Sequence, residues 1–340
     1  MSCLSANTYL RTVIDAEGNV WFWDCNPDMK SNKTPQKAET PTKQQAVTLG
    51  EYFAFLLDED GVVWFCDWGY LTDFNENVTA CPVKKLEIGD QRFCSIAMTN
   101  IHALFVDLNS KVWSHGANNY GQLGLGHCDD NYAVATQITT LPKIICASAG
   151  YYHSLFVDDQ GYVWCCGNSE LGKLGMDTGS ESILSIPKKN PHLKNIKSAS
   201  AGQYHSLFLD VDGLVWGCGS ACNGQLPPYE GIVGVPKLIE FPKATISMVS
   251  CGPMFSDFLD TEGNVWHCGT FEFGLEVDLL NKVEDLPPVK LIQCGQRNSL
   301  YLDCEGKLWL HEYQCPVTKV QELPRLMLPT KRYNKSARNQ

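Results

Sequence analysis

A tryptophan recurs seven times along the chain, at Trp21, Trp64, Trp113, Trp164, Trp216, Trp266 and Trp309, each time closing the same run of residues. Spacings of 43 to 52 residues mark a supersecondary unit repeated along the chain, and such units bury their apolar faces only by stacking on their neighbours. The fourth copy is the clearest: Gly150-Tyr-Tyr-His153-Ser-Leu-Phe-Val-Asp158-Asp-Gln-Gly161-Tyr-Val-Trp164-Cys-Cys-Gly167. Ser154 to Val157 and Tyr162 to Cys166 are apolar, β-branched or aromatic runs of strand length. The Asp-x-x-Gly between them is hairpin chemistry: the carboxylate accepts from the turn amides, and glycine takes the positive φ that re-enters the ladder.

The remaining copies align without a gap from the first glycine to the aspartate. The glycine position reads Asn7, Gly50, Thr99, Gly150, Gly202, Gly252 and Gly295. The histidine position reads Leu10, Phe53, His102, His153, His205, Phe255 and Asn298, while the aspartate is invariant at Asp15, Asp58, Asp107, Asp158, Asp210, Asp260 and Asp303. An apolar run precedes each glycine, and a loop with a weaker strand follows each tryptophan. Four strands per repeat make one blade, so the expectation is an all-β, seven-bladed β-propeller over residues 1–330, with a short basic tail at 331–340. Thr318 to Met327 matches Thr136 to Ile145 position for position. The ring is therefore expected to close with N- and C-terminal segments in one blade, the C-terminus supplying outer and first inner strands and the N-terminus starting at the hairpin near Tyr9. Shared closure removes an open edge.

The pattern Gly-x-x-His-Ser, Asp-x-x-Gly-x-Val-Trp, then Gly-x-Asn-x-x-Gly-Gln-Leu-Gly resembles the repeat of the regulator of chromosome condensation family. Gly116 to Gly126, Gly167 to Gly175 and Gly219 to Leu226 carry it best. The resemblance runs over essentially the whole chain and is most eroded around Asp67 and Gly269. It implies functions from nucleotide exchange on a Ran-like GTPase to adaptor roles in ubiquitin ligases. It also includes a UV-B photoreceptor, whose Gly-Trp-Arg-His runs are absent here. The family exchange factor uses a wedge inserted in one blade, and no blade of this chain shows an extra hairpin.

Sixteen cysteines are placed mostly at packed strand positions, as at Cys66, Cys166, Cys218 and Cys268, where cysteine acts as a small hydrophobe. No Cys-x-x-Cys pair suggests a metal, and neither metal nor cofactor is expected. The N-terminal residues show no signal peptide and no apolar stretch reaches spanning length, so a cytoplasmic, reduced, monomeric protein with possible nuclear entry is expected, without membrane contact. A net charge of −11 opposes a phosphate backbone, and nucleic acid is not an expected partner. Residues 24–45 are the most hydrophilic stretch and read as a loose outer edge of the first blade.

Two faces offer binding sites. The hairpin turns emerge on one side, where Glu59, Asp60, Asp159, Asp212, Glu262 and Glu305 have no turn to hold and could recruit a basic partner or serve solvation alone. The opposite side carries Tyr52, Tyr151, Tyr152 and Tyr204, with Phe255 and Arg297 as departures from the repeat. Tyrosine suits recognition, although such rings also pack between blades. His153–Ser154 and His205–Ser206 look like base–nucleophile pairs, yet adjacent strand residues point to opposite faces. Gly121 to Gly126 lacks the Lys-Ser/Thr ending of a phosphate loop. The expected function is a non-enzymatic platform binding intracellular proteins, including small GTPases or ubiquitin-ligase components. The alternative is guanine-nucleotide exchange on a Ran-like GTPase.

Overall fold

The computed structural model describes residues 3–8, 10–24, 34–51, 53–67, 83–272, 278–312 and 315–328. These residues form seven four-stranded antiparallel sheets arranged as the blades of a ring. Blade 4 contains Ile144–Ala149, His153–Asp158, Val163–Asn168 and Ile183–Lys189, ordered from the central axis outward. Among the described residues no helix is long and apolar enough to cross a membrane.

The second strand of blade 4 is buried along its whole length, because it sits mid-sheet with another blade on either side. That explains why its sequence is nearly continuous in apolar residues instead of alternating. Alternation survives in direction. Leu155 and Val157 join Phe208 and Ala201 of blade 5 in one cluster, whereas Phe156 joins Leu104 and Val106 of blade 3 in another. Blade 4 thus presents aliphatics to the next blade and a phenylalanine to the previous one, and Phe105, Phe208 and Phe258 hold the same position in blades 3, 5 and 6.

The inner strands are latched around the axis. Serine hydroxyls on one blade accept the edge amide of the next: Ser5 from Leu49 (2.9 Å), Ser148 from Ala201 (3.0 Å), Ser200 from Cys251 (3.0 Å) and Ser250 from Cys294 (2.9 Å). These bonds satisfy amides that an innermost edge strand would otherwise leave open.

Ring closure differs in detail from the expectation. The innermost strand of blade 1 is N-terminal, Leu4–Ala6, and pairs with Leu10–Ile14. The C-terminal segment reaches the same blade at a single bridge, Asp15 to Leu326, flanked by Ala16 N–H to Arg325 and Met327 N–H to Ile14. Leu326 therefore occupies the place of Ile144, as the alignment has it, but the N-terminus takes over the rest of that strand. Thr318–Lys319 is the outer strand of blade 7. Tyr9 and the 331–340 tail lie outside the described residues.

Candidate functional site

The invariant aspartate and tryptophan are one device. In blade 4, Asp158 Oδ1 accepts the amides of Gln160 (3.0 Å) and Tyr162 (2.8 Å), and Oδ2 accepts the Trp164 indole N–H (2.9 Å). The same three bonds recur in every blade, with the indole at 2.8 Å in blades 1 and 2 and at 3.4 Å in blade 5. The turn reading of the aspartate was legible; its bond to the tryptophan six residues on was not, although their constant spacing was the signal. All seven aspartates are buried. At Asp15 and Asp260 burial raises the carboxyl pKa, but the hydrogen bonds outweigh it and the net shift is downward. The other acidic turn residues, Glu59, Asp60, Asp159, Asp212, Glu262 and Glu305, are exposed. Glu305 is paired to Lys307.

The repeat histidines are fully buried. His102, His153 and His205 each place Nε2 at 2.9 Å from a serine of the following blade: Ser154, Ser206 and Ser256. Each serine hydroxyl in turn donates to a carbonyl, from Gln122, Lys173 and Gln225 at 2.7, 2.7 and 2.9 Å. A carbonyl only accepts, so the hydroxyl proton is committed to it and the imidazole must be the donor. Such a histidine is not a base and such a serine is not an activated nucleophile. Burial holds His102 and His205 down at about 3. The glycine three residues before the histidine leaves room for this ring, since a Cβ on Gly150 would lie 2.5 Å from His153 Cε1.

The turn between first and second strands holds one equivalent residue per blade, the collar Thr8, Glu51, Asn100, Tyr151, Gln203, Pro253 and Gln296, and four of these reach the axial channel. The channel below encloses about 280 Å³, lined by the inner strands with Tyr151, Gln203, Pro253 and Gln296 at its entrance. Gln296 spans the mouth, donating to Asn100 Oδ1 (2.8 Å) and accepting from the Thr8 hydroxyl. Glu51 is the charged member of this collar. Sequence reasoning passed over it, though it stands directly after Gly50 where blade 4 has Tyr151.

Tyr151, Tyr152 and Tyr204 are half-buried and Tyr120 is exposed. Their rings gather: Tyr120 to Tyr152 is 4.8 Å between centroids, and Tyr151 to Tyr152 is 5.9 Å at 72°. Gln203 donates to the Tyr204 hydroxyl at 2.8 Å. The Tyr151 phenol is pushed up by burial and then by the charge of Glu51, with Tyr152 and Tyr204 adding and Arg297 opposing. Arg297 is exposed and paired to Glu272 at 3.1 Å. Two expectations need adjustment. Phe255 is fully buried, packed against Phe271 and His267, because in blade 6 it fills the slot that histidine fills elsewhere. Tyr52 lies outside the described residues.

Between blades 6 and 7 the repeat gives way to a buried polar chain that sequence reasoning missed. Asp257, in the position of Leu155, accepts from His267 Nδ1 (2.6 Å) and from the Tyr301 hydroxyl (3.1 Å). Tyr301 accepts in turn from His311 Nδ1 at 3.0 Å. Burial raises the Asp257 pKa, but His267 and the hydrogen bonds bring it below the ordinary value, and burial lowers His311 to about 4. A second departure is Lys173, 3% exposed, where blades 3 and 5 carry Gln122 and Gln225. Among the described residues no group of three or more histidine, cysteine or acidic side chains could hold a metal. Thirteen described cysteines are free thiols.

Comparison with known proteins agrees with this architecture. The regulator of chromosome condensation (RCC1) repeat profile matches residues 109–157 and 160–209, and a second profile of that repeat matches 144–173 and 196–225. The guanine nucleotide exchange factor SRM1 of Saccharomyces cerevisiae is 26% identical over 273 residues, covering 70% of this chain and 57% of that protein. The secretion-regulating guanine nucleotide exchange factor of Bos taurus is 33% identical over 136 residues, 39% of this chain and 28% of its own. The chain thus spans little more than half of the first relative and less of the second. The crystal structure of Prp20p from Saccharomyces cerevisiae superposes with a TM-score of 0.72 at 18% identity, over 88% of this chain and 81% of that one, which speaks to the fold alone. The repeat profile falls on the best-formed blades, and the same blade is built seven times around one axis: the chain carries regulator of chromosome condensation (RCC1) repeats at residues 109–157 and 160–209.

Proposed function

We propose that this protein is a non-enzymatic interaction platform that regulates a small GTPase in the cytoplasm, holding its partner against the tyrosine-bearing face. The observation that carries the reading is the gathering of Tyr120, Tyr151, Tyr152 and Tyr204 beside the channel mouth. Large, rigid, amphipathic side chains are what a recognition surface uses. The residues that resembled catalytic pairs are instead spent on joining blades. A GTPase partner is supported by relatives whose names are guanine nucleotide exchange factors, and by a similar fold, Prp20p, whose structure was reported with its binding to Gsp1p and histones.

Nucleotide exchange itself is the second reading, favoured by the SRM1 match across 70% of the chain. Exchange needs no bond-making chemistry, only tighter binding to the nucleotide-free GTPase than to the loaded one. The test is release of a fluorescent guanine nucleotide from Ran and a panel of related GTPases. Concentration-dependent acceleration for one GTPase establishes exchange. GTPase binding without acceleration leaves the platform, and loss of that binding in Tyr151→Ala/Tyr152→Ala/Tyr204→Ala assigns it to this face. Absence of any GTPase binding by the folded protein refutes the proposal.

A further inference from the structure

We propose that the channel mouth is a receptor for an arginine side chain carried on a basic segment of the partner protein. The inference deepens the platform reading and rests on the same face being the one that binds. Its basis is the collar. Tyr151, Gln203, Pro253 and Gln296 line the channel, Thr8 and Asn100 are bonded to Gln296, and Glu51, whose amide donates to the Asn100 carbonyl at 2.9 Å, brings a carboxylate to this turn. Around them stand Tyr120, Tyr152 and Tyr204. Tyr120 and Tyr152 meet at 4.8 Å and 55°, Tyr152 and Tyr151 at 5.9 Å and 72°, so the rings form the walls of a corner rather than one flat stack. The faces of aromatic rings carry negative potential, and a nearby carboxylate adds a full charge.

Burial and then the charge of Glu51 push the Tyr151 phenol up, and Glu51 adds to the same upward shift at Tyr152. Arg297, a cation that acts on the Tyr151 phenol, is paired to Glu272 at 3.1 Å. Guanidinium is favoured over ammonium because its plane stacks on a ring while its fork reaches a carboxylate. The surrounding loops agree in sign: Asp129, Asp130, Glu170, Asp177 and Glu230 are exposed on the loops following the tryptophans of blades 3 to 5. A basic segment meets charge of the opposite sign on arrival, which raises its association rate.

The test uses the whole protein and a fluorescein-labelled decapeptide of glycine and serine with three arginines, compared with the same peptide in which citrulline replaces arginine. Citrulline keeps the shape and removes the charge. At about 50 mM salt the arginine peptide is expected to bind at least tenfold tighter by fluorescence anisotropy. Tyr152→Leu should weaken it about five- to tenfold, Tyr152→Phe should keep most of the affinity, and Glu51→Gln should weaken it about fivefold, less so at high salt. Circular dichroism confirms the fold of each variant. Asp159→Lys with Glu59→Lys, on the hairpin face, should leave binding within about twofold. Equal binding of the two peptides overturns the inference, as does retention of binding in both Tyr152→Leu and Glu51→Gln, or loss confined to the hairpin-face variant. If the peptides bind alike while the triple tyrosine variant still loses its GTPase, the face is a platform without an arginine receptor, and only this inference falls.

Discussion

Replacing Lys173 with glutamine is expected to stabilise the protein at neutral pH. Lys173 is 3% exposed, and among the described residues its ammonium has neither hydrogen bond nor ion pair. Burial pulls its pKa from 10.5 to about 8, with Glu170 opposing weakly. A folded-state value about 2.5 units below the unfolded one costs roughly 3 kcal/mol wherever both states are protonated. The sign follows from proton counts. Below pH 8 folded and unfolded chains both carry the proton and the full cost applies; between 8 and 10.5 the unfolded chain binds more protons, so stability rises with pH. Glutamine removes the charge and has a ready geometry, because Gln122 Oε1 accepts Tyr120 N–H at 2.9 Å and Gln225 Oε1 accepts Asn223 N–H at 2.8 Å. Against this, the Nε2 of both glutamines is buried without a partner, a cost of about 1 kcal/mol. The net gain is about 2 kcal/mol at pH 7, which for a chain of 340 residues is about 3 °C in melting temperature. Thermal unfolding of both proteins at pH 7 and pH 10 tests it, the difference being expected to vanish at the higher pH. Equal stability at pH 7, or a gain unchanged at pH 10, would refute the reasoning.

Three further outcomes are expected. Asp158→Ala should cost about 2–4 kcal/mol in urea unfolding, since it strips acceptors from two turn amides and the Trp164 indole. Because the Asp15 and Asp260 carboxyls are held below their ordinary range in the folded state, their contribution is present above about pH 4 and lost as pH falls through the folded value; tryptophan fluorescence followed from pH 6 to 2.5 should show unfolding in that window. Asp257→Leu restores the residue of other blades yet should destabilise by about 3 kcal/mol, since it leaves His267 and the Tyr301 hydroxyl without their acceptor. Adding Tyr301→Phe should recover part of that loss, which a double-mutant cycle measures.

Much of the fold could be read in advance because a blade is a local object. Hairpin pairing depends on residues within about twenty positions of each other, and the Asp-x-x-Gly turn, the strand lengths and the tryptophan period are all set at that range. The site was legible only where a residue kept both its type and its place. Tyr151, Tyr152 and Tyr204 keep the repeat's place and are half-buried. Phe255 is fully buried, because an apolar ring in the histidine slot follows the histidine inward, and nothing in its own neighbourhood announces that slot as buried.

What the sequence determined by itself is the repeating blade, the number of blades and the sign of the surface, since periodicity and charge need no knowledge of which residues meet. Only the tertiary structure decided that each histidine bonds the serine of the next blade some fifty residues away, that Asp257 finds Tyr301, and that Gln296 reaches Asn100. It also decided that the N-terminal Leu4–Ala6, rather than the C-terminus, lines the axis in blade 1. These are contacts between repeats. Their energy comes from pairing buried polar groups across a blade interface, and that pairing exists only once the ring has brought distant segments of the chain together.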